Sequence, residues 1–420
     1  MESNKCKSLK FKITVSIDNS TNLEFSSISK SLTNSITKSE KKKHGIFFTP
    51  PETVINMITK VKSLKNSIES ILEPSCGSGE FINYLTKYFT DSKINGIELN
   101  KTIFESIKNK QSSNVVLLNE DFIKYTDQNK YDLIIGNPPF YVMKKNDAPN
   151  NYHEYFDGRP NIFLLFVIKS LKMLKSDGIL SFVLPRNFIN CLYYDKTRQF
   201  IDQNFKIHFI EDCDDEYIDT KQDTIIMIVQ KKENPDNNNF TLKVSDYTIF
   251  GTVDNVTKLK TYYNNYKTLN ELNFRVNVGN VVWNQCKSIL TDDNSKTRLI
   301  YSSDIADIDT VKKYKNDEKK NFIDKDGETG PLLVMNRGYG VGQYKFEYSL
   351  LDISSEYLIE NHLICIRYKD GIDDTELVKK YKTIMKSLSN KKTQEFMKTY
   401  FGNNAINTTE INYILPIFNN

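Results

Sequence analysis

The feature that most constrains the fold is an alternation of strand-like and helix-like segments between residues 47 and 232. Seven short apolar runs have the character of strands, and segments with a helical period of apolar residues separate most of them. Parallel strands need such crossovers, so the pattern predicts a doubly wound, mostly parallel seven-stranded α/β sheet with helices on both faces. The last two runs, "KIHFIED" and "TIIMIVQK", follow each other without a helix, which predicts one antiparallel strand at the edge.

Composition and period divide the chain into three parts. Residues 1–43 are rich in Ser, Thr, Asn and Lys without a clear period, which predicts a tail or an irregular arm. The alternation predicts one domain over residues 44–250, and its loss beyond that point predicts a second, α+β domain over residues 251–420.

The segment "TPPETVINMITKVKSL" carries the signals of a helix start. We expect Thr49 as the N-cap, Pro50 at the first helical position and Glu52 as the partner in a capping box.

Charge and cysteine content limit the class of protein. The net charge of +4 and the pI of about 8.4 permit a polyanionic partner without requiring one. Six scattered cysteines without a C-x-x-C pair, and only four histidines, predict a reduced, cytoplasmic protein without a metal site. No window approaches about 18 continuous apolar residues, and the polar start is unlike a signal peptide, so we expect no membrane association.

A glycine-rich turn, "EPSCGSGEF", follows the first strand and opens a helix. Gly77 and Gly79 allow a ligand to approach the backbone closely, although the spacing departs from G-x-G-x-x-G and no P-loop lysine follows. Glu98 ends the next strand, where a carboxylate can accept hydrogen bonds from ribose hydroxyls. The alternative is a surface glutamate that caps the helix starting near Asn100.

The third strand closes with "NEDF". Asp121 can accept a hydrogen bond from the exocyclic amine of adenine, and Phe122 can lie against the ring; alone, the pair is more often a turn and a core residue. Ligand-type residues at three successive strand ends meet at the edge where open α/β sheets bind ligands. Together they predict an adenosyl ligand.

The fourth strand ends in "DLIIGNPPF". Asn137 offers an amide oxygen and Pro138 a carbonyl, while the two prolines remove N–H donors and fix the backbone. Such a rigid, acceptor-rich turn suits a substrate NH₂ group whose nitrogen attacks a sulfonium methyl, by positioning and electrostatics rather than by a general base. Phe140 then offers a face for a planar amide or base; the alternative is a helix-breaking turn.

These segments resemble the motifs of S-adenosylmethionine-dependent N6-adenine DNA methyltransferases of the gamma arrangement, as found in type II restriction-modification systems. The resemblance covers about residues 45–232 and is carried by "FFTPPE", "LEPSCGSGEF", "GIEL", "NEDF", "DLIIGNPPF", "GILSFVLPRNF" and "DTIIMIVQ". It implies a Rossmann-like class I methyltransferase fold over residues 44–250, and a DNA target-recognition domain over residues 251–420. It also implies S-adenosylmethionine as the donor, S-adenosylhomocysteine as the product and no metal.

The resemblance assigns roles residue by residue. The donor's methionine part would contact Thr49, Glu73, Gly77 and Gly79; its ribose would contact Glu98, and its adenine Asp121 and Phe122. Further donor contacts would be Phe48, Cys76, Leu99 and Asn137. The catalytic residues would be Asn137, Pro138, Pro139 and Phe140, with Phe140 also stacking on the flipped base.

Two departures from the family pattern concern the target base. Phe140 stands where many relatives have Tyr, so stacking survives but a hydroxyl is lost. Tyr217 is the only ring near the position from which an aromatic side chain would pack on the extruded base. Candidate base-edge readers in the C-terminal part are Arg275, Asn336, Arg337, Asn403 and Asn404, each of which could instead be an ordinary surface residue.

The sequence leaves other acceptors open. Methyltransferases acting on RNA base amines or protein glutamines also use an Asn-Pro-Pro-aromatic step, and a silent DNA-binding protein could keep the same scaffold. "FFTPPE" and the long C-terminal part favour a site-specific, adenine-specific DNA methyltransferase that flips its target base. The expected partner is duplex DNA, with a cognate restriction endonuclease suggested by the resemblance, and a monomer is favoured. The target sequence, the number of strands methylated and the pairing with a nuclease do not follow.

Overall fold

The computed structural model describes residues 23–213, 222–264, 266–307, 316, 318–337, 346–400 and 406–418. The chain forms two compact units, Met1–Asn237 and Asn238–Asn420.

The first unit is built on a seven-stranded sheet. Its strands are β1 (Ser70–Glu73), β2 (Lys93–Ile97), β3 (Val115–Leu118), β4 (Tyr131–Gly136), β5 (Leu174–Pro185), β6 (Phe205–Asp212) and β7 (Thr224–Lys231). The spatial order is β3-β2-β1-β4-β5-β7-β6, and β7 alone runs antiparallel to its neighbours. The predicted doubly wound, mostly parallel sheet is confirmed.

The antiparallel strand does not lie at the edge, contrary to the prediction. β7 is inserted between β5 and β6, and β6 forms the edge. The burial of the two strands explains this order: β7 is buried along seven of its eight residues, whereas β6 has only three buried positions. A strand that is apolar on both faces is most stable with a neighbour on each side.

Helices cover the sheet, and their apolar faces form its core. On one face α3 and α4 pack onto β1 and β4 through a cluster that includes Val54, Ile58 and Leu133. The helices of this unit are α1 (Ser27–Ser35), α2 (Lys38–His44), α3 (Pro51–Leu64), α4 (Glu80–Tyr88), α5 (Lys101–Ile107), α6 (Ile162–Lys172) and α7 (Asp195–Asn204).

The N-terminal segment contradicts the predicted irregular arm where the structure describes it, because residues 27–44 form α1 and α2. Each helix begins at a hydroxyl cap: Ser26 and Thr37 accept hydrogen bonds from the backbone N–H three residues on, both at 3.2 Å. Leu32 of α1 packs against Phe48 and Ile103. Composition suggested disorder, but the segment is ordered by its caps, by this apolar cluster and by hydrogen bonds from the Ser26 backbone N–H and the Ser29 hydroxyl to the Glu80 carboxylate.

The start of α3 also differs from the prediction. Pro50 is the N-cap, Pro51 is the first helical residue, and no side chain caps the helix. The Thr49 hydroxyl instead accepts a hydrogen bond from the side-chain amide of Asn137 at 3.0 Å. The Thr49 hydroxyl is therefore engaged in a tertiary contact instead of the predicted capping box.

The second unit has the predicted α+β character. It contains two four-stranded sheets, β11-β18-β15-β16 and β12-β14-β13-β17, and two ribbons, β8-β9 and β10-β19. These strands are β8 (Thr241–Val244), β9 (Tyr247–Phe250), β10 (Lys267–Thr268), β11 (Phe274–Val278), β12 (Leu290–Thr291), β13 (Thr297–Ile300), β14 (Phe322–Ile323), β15 (Leu332–Asn336), β16 (Tyr348–Leu351), β17 (Tyr357–Ile359), β18 (Leu363–Tyr368) and β19 (Pro416–Ile417). The helices are α8 (Val253–Tyr262), α9 (Asp374–Leu388), α10 (Lys391–Tyr400) and α11 (Thr408–Tyr413).

None of the helices in the described ranges combines the length and the apolar character that a membrane crossing requires.

Asp132 ties together the elements at the amino ends of the parallel strands. Its carboxylate accepts hydrogen bonds from the ammonium groups of Lys65 at 2.9 Å and Lys175 at 2.8 Å, and from the Ser70 hydroxyl at 3.0 Å. Burial would raise the pKa of Asp132, but these hydrogen bonds outweigh it and hold the pKa well below its usual range. The end of α3 and the starts of β1, β4 and β5 therefore meet at one charged side chain.

We expect Asp132→Asn to lower the free energy of unfolding at pH 7 by about 2 kcal/mol, since five donors, two of them ammonium groups, lose a charged acceptor. The 38% exposure of Lys175 screens its share. A carboxylate with a depressed pKa stabilises the fold above its unfolded pKa, so the deficit should persist down to about pH 4 and shrink below it. Denaturant titrations between pH 3 and 7 measure this, with the exposed Asp91→Asn as the control. A deficit of the same size at pH 3 would contradict the ionic explanation.

Candidate active site

A cavity of about 520 Å³ lies in the first unit, at the carboxyl ends of the parallel strands. The strand order reverses between β1 and β4, which is the switch point at which open α/β sheets bind ligands. The sequence-predicted residues that line it are Phe48, Gly77, Glu98, Leu99, Asp121, Phe122, Asn137 and Pro139. Thr49, Glu73, Cys76, Gly79, Pro138 and Phe140 are not among the lining residues.

The glycine-rich turn shapes the wall next to β1. Gly77 and Gly79 have φ of 52° and 76°, in the left-handed region that favours glycine. Gly77 faces the cavity, whereas Gly79 is the N-cap of α4 and faces the Lys110 side chain. Burial raises the pKa of the Cys76 thiol, which packs against Gly96 beneath the turn. Gly79 and Cys76 therefore support the turn rather than the cavity surface.

Glu98 fixes the turn from the end of β2. Its carboxylate accepts hydrogen bonds from the backbone N–H of Gly77 at 2.8 Å and of Asn100 at 2.7 Å. Burial raises its pKa, and these hydrogen bonds act in the opposite direction. The sequence left open whether Glu98 caps a helix or accepts a hydrogen bond from a ligand. In the structure its carboxylate contacts the start of α5 and also lines the cavity.

Glu73, at the end of β1, has a carboxylate with no hydrogen-bond partner among the described residues, although both oxygens are buried. Burial, followed by the charges of Glu98 and Glu80, raises its pKa well above the usual value. A buried unpaired acid is costly unless a cation or donor approaches it. This residue thus fits a positively charged ligand group.

The turn after β3 presents Asp121 and Phe122. One Asp121 oxygen accepts a hydrogen bond from the backbone N–H of Ile123 at 2.9 Å, and the other lies 3.9 Å from the Lys124 ammonium. The Phe122 ring is 2% exposed and lies 4.9 Å from the Phe166 ring, centroid to centroid. Both predicted residues are at the cavity, with Phe166 as a ring that the sequence reading missed.

Asn137 is held in one orientation at the end of β4. Its amide nitrogen donates to the Phe47 carbonyl at 3.3 Å and to the Thr49 hydroxyl at 3.0 Å. A carbonyl can only accept, so the amide nitrogen must face Phe47 and the oxygen must face away. That oxygen is buried without a partner among the described residues. An amide acceptor is therefore presented for a ligand donor.

Phe140 is half-buried behind this acceptor. Its ring packs edge to face on Phe163, with centroids 6.0 Å apart. Gly45, with φ of 64°, lies against the same loop, so that a Cβ there would come within 2.5 Å of the Phe140 nitrogen. The sequence reading missed the contribution of residues 44–47 to the cavity; the one available signal was their position directly before "FTPPE".

The structure describes only some of the residues that were predicted to contact the target base. Arg275 and Arg337 are exposed in the second unit, and Asn336 donates to the Glu347 carboxylate at 2.9 Å. Tyr217, Asn403 and Asn404 lie outside the described residues. Over the described ranges, no group of three or more His, Cys, Asp or Glu side chains could hold a metal ion.

Residues 11–218, about half of the chain, match the family model described as Eco57I restriction-modification methylase. This part of the chain belongs to that family. The match confirms the resemblance to restriction-modification methyltransferases, and with the strand order it identifies the sheet as the Rossmann-like class I methyltransferase fold.

Two relatives are similar to this chain over both of its units. The chain is 25% identical to the type II methyltransferase M.CvrRI of Paramecium bursaria Chlorella virus XZ-6E, over 91% of this chain and 96% of the relative. It is 27% identical to modification methylase CviBIII of Paramecium bursaria Chlorella virus NC1A, over 83% and 89%. The cryo-EM structure of a DrdV–DNA complex shares the fold at a TM-score of 0.50 and 14% identity, over 90% of this chain and 57% of that one.

The raised pKa of Glu73 predicts a pH-dependent stability of the ligand-free protein. A carboxyl whose pKa is raised by folding destabilises the fold above its unfolded pKa of 4.5. Glu73→Gln should therefore raise the free energy of unfolding at pH 8 by about 1 kcal/mol or more, and the gain should vanish near pH 4. Denaturant titration at both pH values measures it, and the exposed Glu154→Gln should change neither. A variant as stable as wild type at pH 8 would argue against a raised pKa of Glu73 in the folded protein.

Proposed function

We propose that the chain is a site-specific DNA methyltransferase that transfers a methyl group from S-adenosylmethionine to N6 of an adenine flipped out of duplex DNA. The observation that carries the proposal is the buried Asn137 Oδ1 at the cavity, which has no hydrogen-bond partner among the described residues and whose amide is fixed by Phe47 and Thr49. An acceptor held in this way suits a substrate NH₂ group.

The donor side of the cavity fits S-adenosylmethionine, which supplies an electrophilic methyl group on a sulfonium. Glu73 would meet the donor's ammonium group, because its carboxylate is buried without a partner among the described residues. Glu98, already oriented by two backbone N–H groups, would accept from the ribose hydroxyls. Asp121 would accept from the adenine amine, and Phe122 would pack on its ring.

The acceptor side would hold both hydrogens of the target amine. Asn137 Oδ1 would take one and the Pro138 carbonyl the other, which aims the nitrogen lone pair at the methyl group. The nitrogen–carbon bond forms as the carbon–sulfur bond breaks, and sulfur keeps the electron pair. The two oxygens stabilise the positive charge that develops on nitrogen, and the proton leaves to solvent afterwards.

The relatives favour DNA as the acceptor, because they are a type II methyltransferase and a modification methylase. A base inside a duplex cannot enter a cavity at a sheet edge, so the reaction would require base flipping, with Phe140 stacking on the extruded ring. In this proposal the first unit, which ends at Asn237, contains the catalytic domain, and the second unit is the target-recognition domain. Arg275 and Arg337 are candidate readers of base edges, and a cognate restriction endonuclease is the suggested biological partner.

The decisive experiment is transfer of labelled methyl from S-adenosylmethionine to unmethylated duplex DNA, followed by nucleoside analysis. We expect N6-methyladenine at a defined sequence. Donor binding without incorporation into DNA would overturn the choice of acceptor, and the same assay on ribosomal RNA and on a glutamine-containing protein would then identify it.

Asn137→Ala should lower the methylation rate at saturating donor and DNA by more than about 100-fold, since one preorganised group of this kind is worth roughly 3 kcal/mol of barrier. Its donor affinity should stay within about threefold of wild type, because the Asn137 oxygen faces the acceptor. Asn129→Ala, before the opposite end of β4, is the control. Turnover near the wild-type rate in Asn137→Ala would exclude the assigned role.

Asp121→Ala should act on the donor instead. The loss of one hydrogen bond to a charged acceptor predicts about tenfold weaker binding of S-adenosylmethionine, with little change in the rate once the donor saturates. Calorimetry and donor titrations of the rate measure the two effects, with the exposed Asp91→Ala as control. An unchanged donor affinity would remove Asp121 from the adenine site.

A further inference from the structure

One charged side chain on α6 reaches beneath the turn that follows β3. The Lys169 ammonium donates to the backbone carbonyls of Phe122 at 2.5 Å, Ile123 at 3.0 Å and Tyr125 at 2.6 Å. An ammonium group has three hydrogens to donate, so these three carbonyls match its donor capacity. Lys169 and the turn are more than 40 residues apart in the sequence, so this one side chain holds the turn by long-range hydrogen bonds.

The turn needs such a donor because it is a helical turn that does not continue. The Asp121 carbonyl accepts from the N–H of Lys124 at 2.9 Å and of Tyr125 at 2.8 Å, as in the first turn of a helix. The carbonyls that follow would be satisfied by later residues of the helix, but the chain leaves the turn instead. The Lys169 ammonium takes the place of those missing donors.

The same helix also fixes the ring that the turn carries. The Lys169 ammonium lies 4.9 Å from the centroid of the Phe122 ring, within the range of a cation–π contact. Phe166, one helical turn earlier on α6, packs against that ring at 4.9 Å. Burial lowers the pKa of Lys169, and the charge of Asp121 acts in the opposite direction. Backbone and ring of the turn are thus held from one face of α6.

We propose that Lys169 is a positioning residue for the adenine of the methyl donor. It orders the Asp121–Tyr125 turn so that the Asp121 carboxylate and the Phe122 ring are in place before the donor arrives. This inference rests on the proposed function, since it assumes that the turn meets an adenosyl ligand. Preorganisation of this kind increases affinity by removing the cost of ordering the loop on binding.

The test compares Lys169→Met with Lys172→Met, an exposed lysine on the same helix whose ammonium lies over the Tyr155 ring. In Lys169→Met we expect about tenfold weaker affinity for S-adenosylmethionine, and the same factor for adenosine alone. The KM for the donor should rise by that factor, with the saturated rate and the KM for DNA within about twofold of wild type. Lys172→Met should change none of these.

Hydrogen exchange of the backbone amides distinguishes a local loss of order in the turn from a loss of global stability. In Lys169→Met, hydrogen exchange at the Lys124 and Tyr125 amides should accelerate, while exchange at Leu133 and Ile135 in β4 should not. Lys169→Gln has a shorter side chain with two hydrogens to donate, so its affinity for S-adenosylmethionine should lie between those of Lys169→Met and wild type. It replaces Lys169→Met in these measurements if the methionine variant is too unstable to study.

The outcomes are distinguishable. If wild type binds no S-adenosylmethionine, the proposed function falls and this inference falls with it. If wild type binds the donor and Lys169→Met binds it equally well, or if Lys172→Met loses as much affinity, the role of Lys169 is excluded while the proposed function stands. Weaker binding confined to the Lys169 variants, with adenosine and S-adenosylmethionine affected alike, supports the positioning role.

Discussion

The arrangement of the site depends on two hydrogen bonds from a single amide nitrogen. Asn137 donates to the Phe47 carbonyl and the Thr49 hydroxyl, which lie about 90 positions earlier in the chain. These contacts join the segment before α3 to the end of β4, and they decide which atom of the amide faces the cavity. Without them the amide could rotate and present its N–H₂, which would repel an amine substrate.

The parts of the site that the sequence predicts well are those that topology alone brings together. The carboxyl ends of parallel strands in one sheet lie at the same edge, so the sequence alone groups Glu98, Asp121 and Asn137. The strands themselves were predictable because their apolar runs are strong and the crossovers regular. The strand order was not, since periodicity does not say which of two consecutive strands takes the edge position.

The parts that the sequence did not predict depend on long-range contacts of residues with a plausible local role. Thr49 has the local signature of a helix cap, yet its hydroxyl accepts from Asn137. Lys169 is part of a helical pattern, and that pattern does not predict its hydrogen bonds to three backbone carbonyls of a distant turn. The composition predicted an irregular arm where α1 and α2 form, because helix caps, a small apolar cluster and hydrogen bonds to Glu80 outweigh the polar sequence.

The Glu73 carboxylate and Asn137 Oδ1 are buried acceptors that find no partner in the part of the chain that the structure describes. They lie near the carboxyl ends of β1 and β4, which are neighbours in the sheet. Each costs folding free energy in the ligand-free protein, since a desolvated acceptor forgoes its hydrogen bonds to water. Native cores rarely keep such groups unless a function requires them. Their difference in charge is informative, because an acid favours a cation and a neutral amide favours a neutral N–H donor. The Asn137 oxygen, which lines the cavity, is therefore suited to an uncharged amine, and the Glu73 carboxylate, which lies at the end of the neighbouring strand without lining the cavity, is suited to a cationic group. A sulfonium donor with an ammonium group and a base amine, as proposed, would require this pairing.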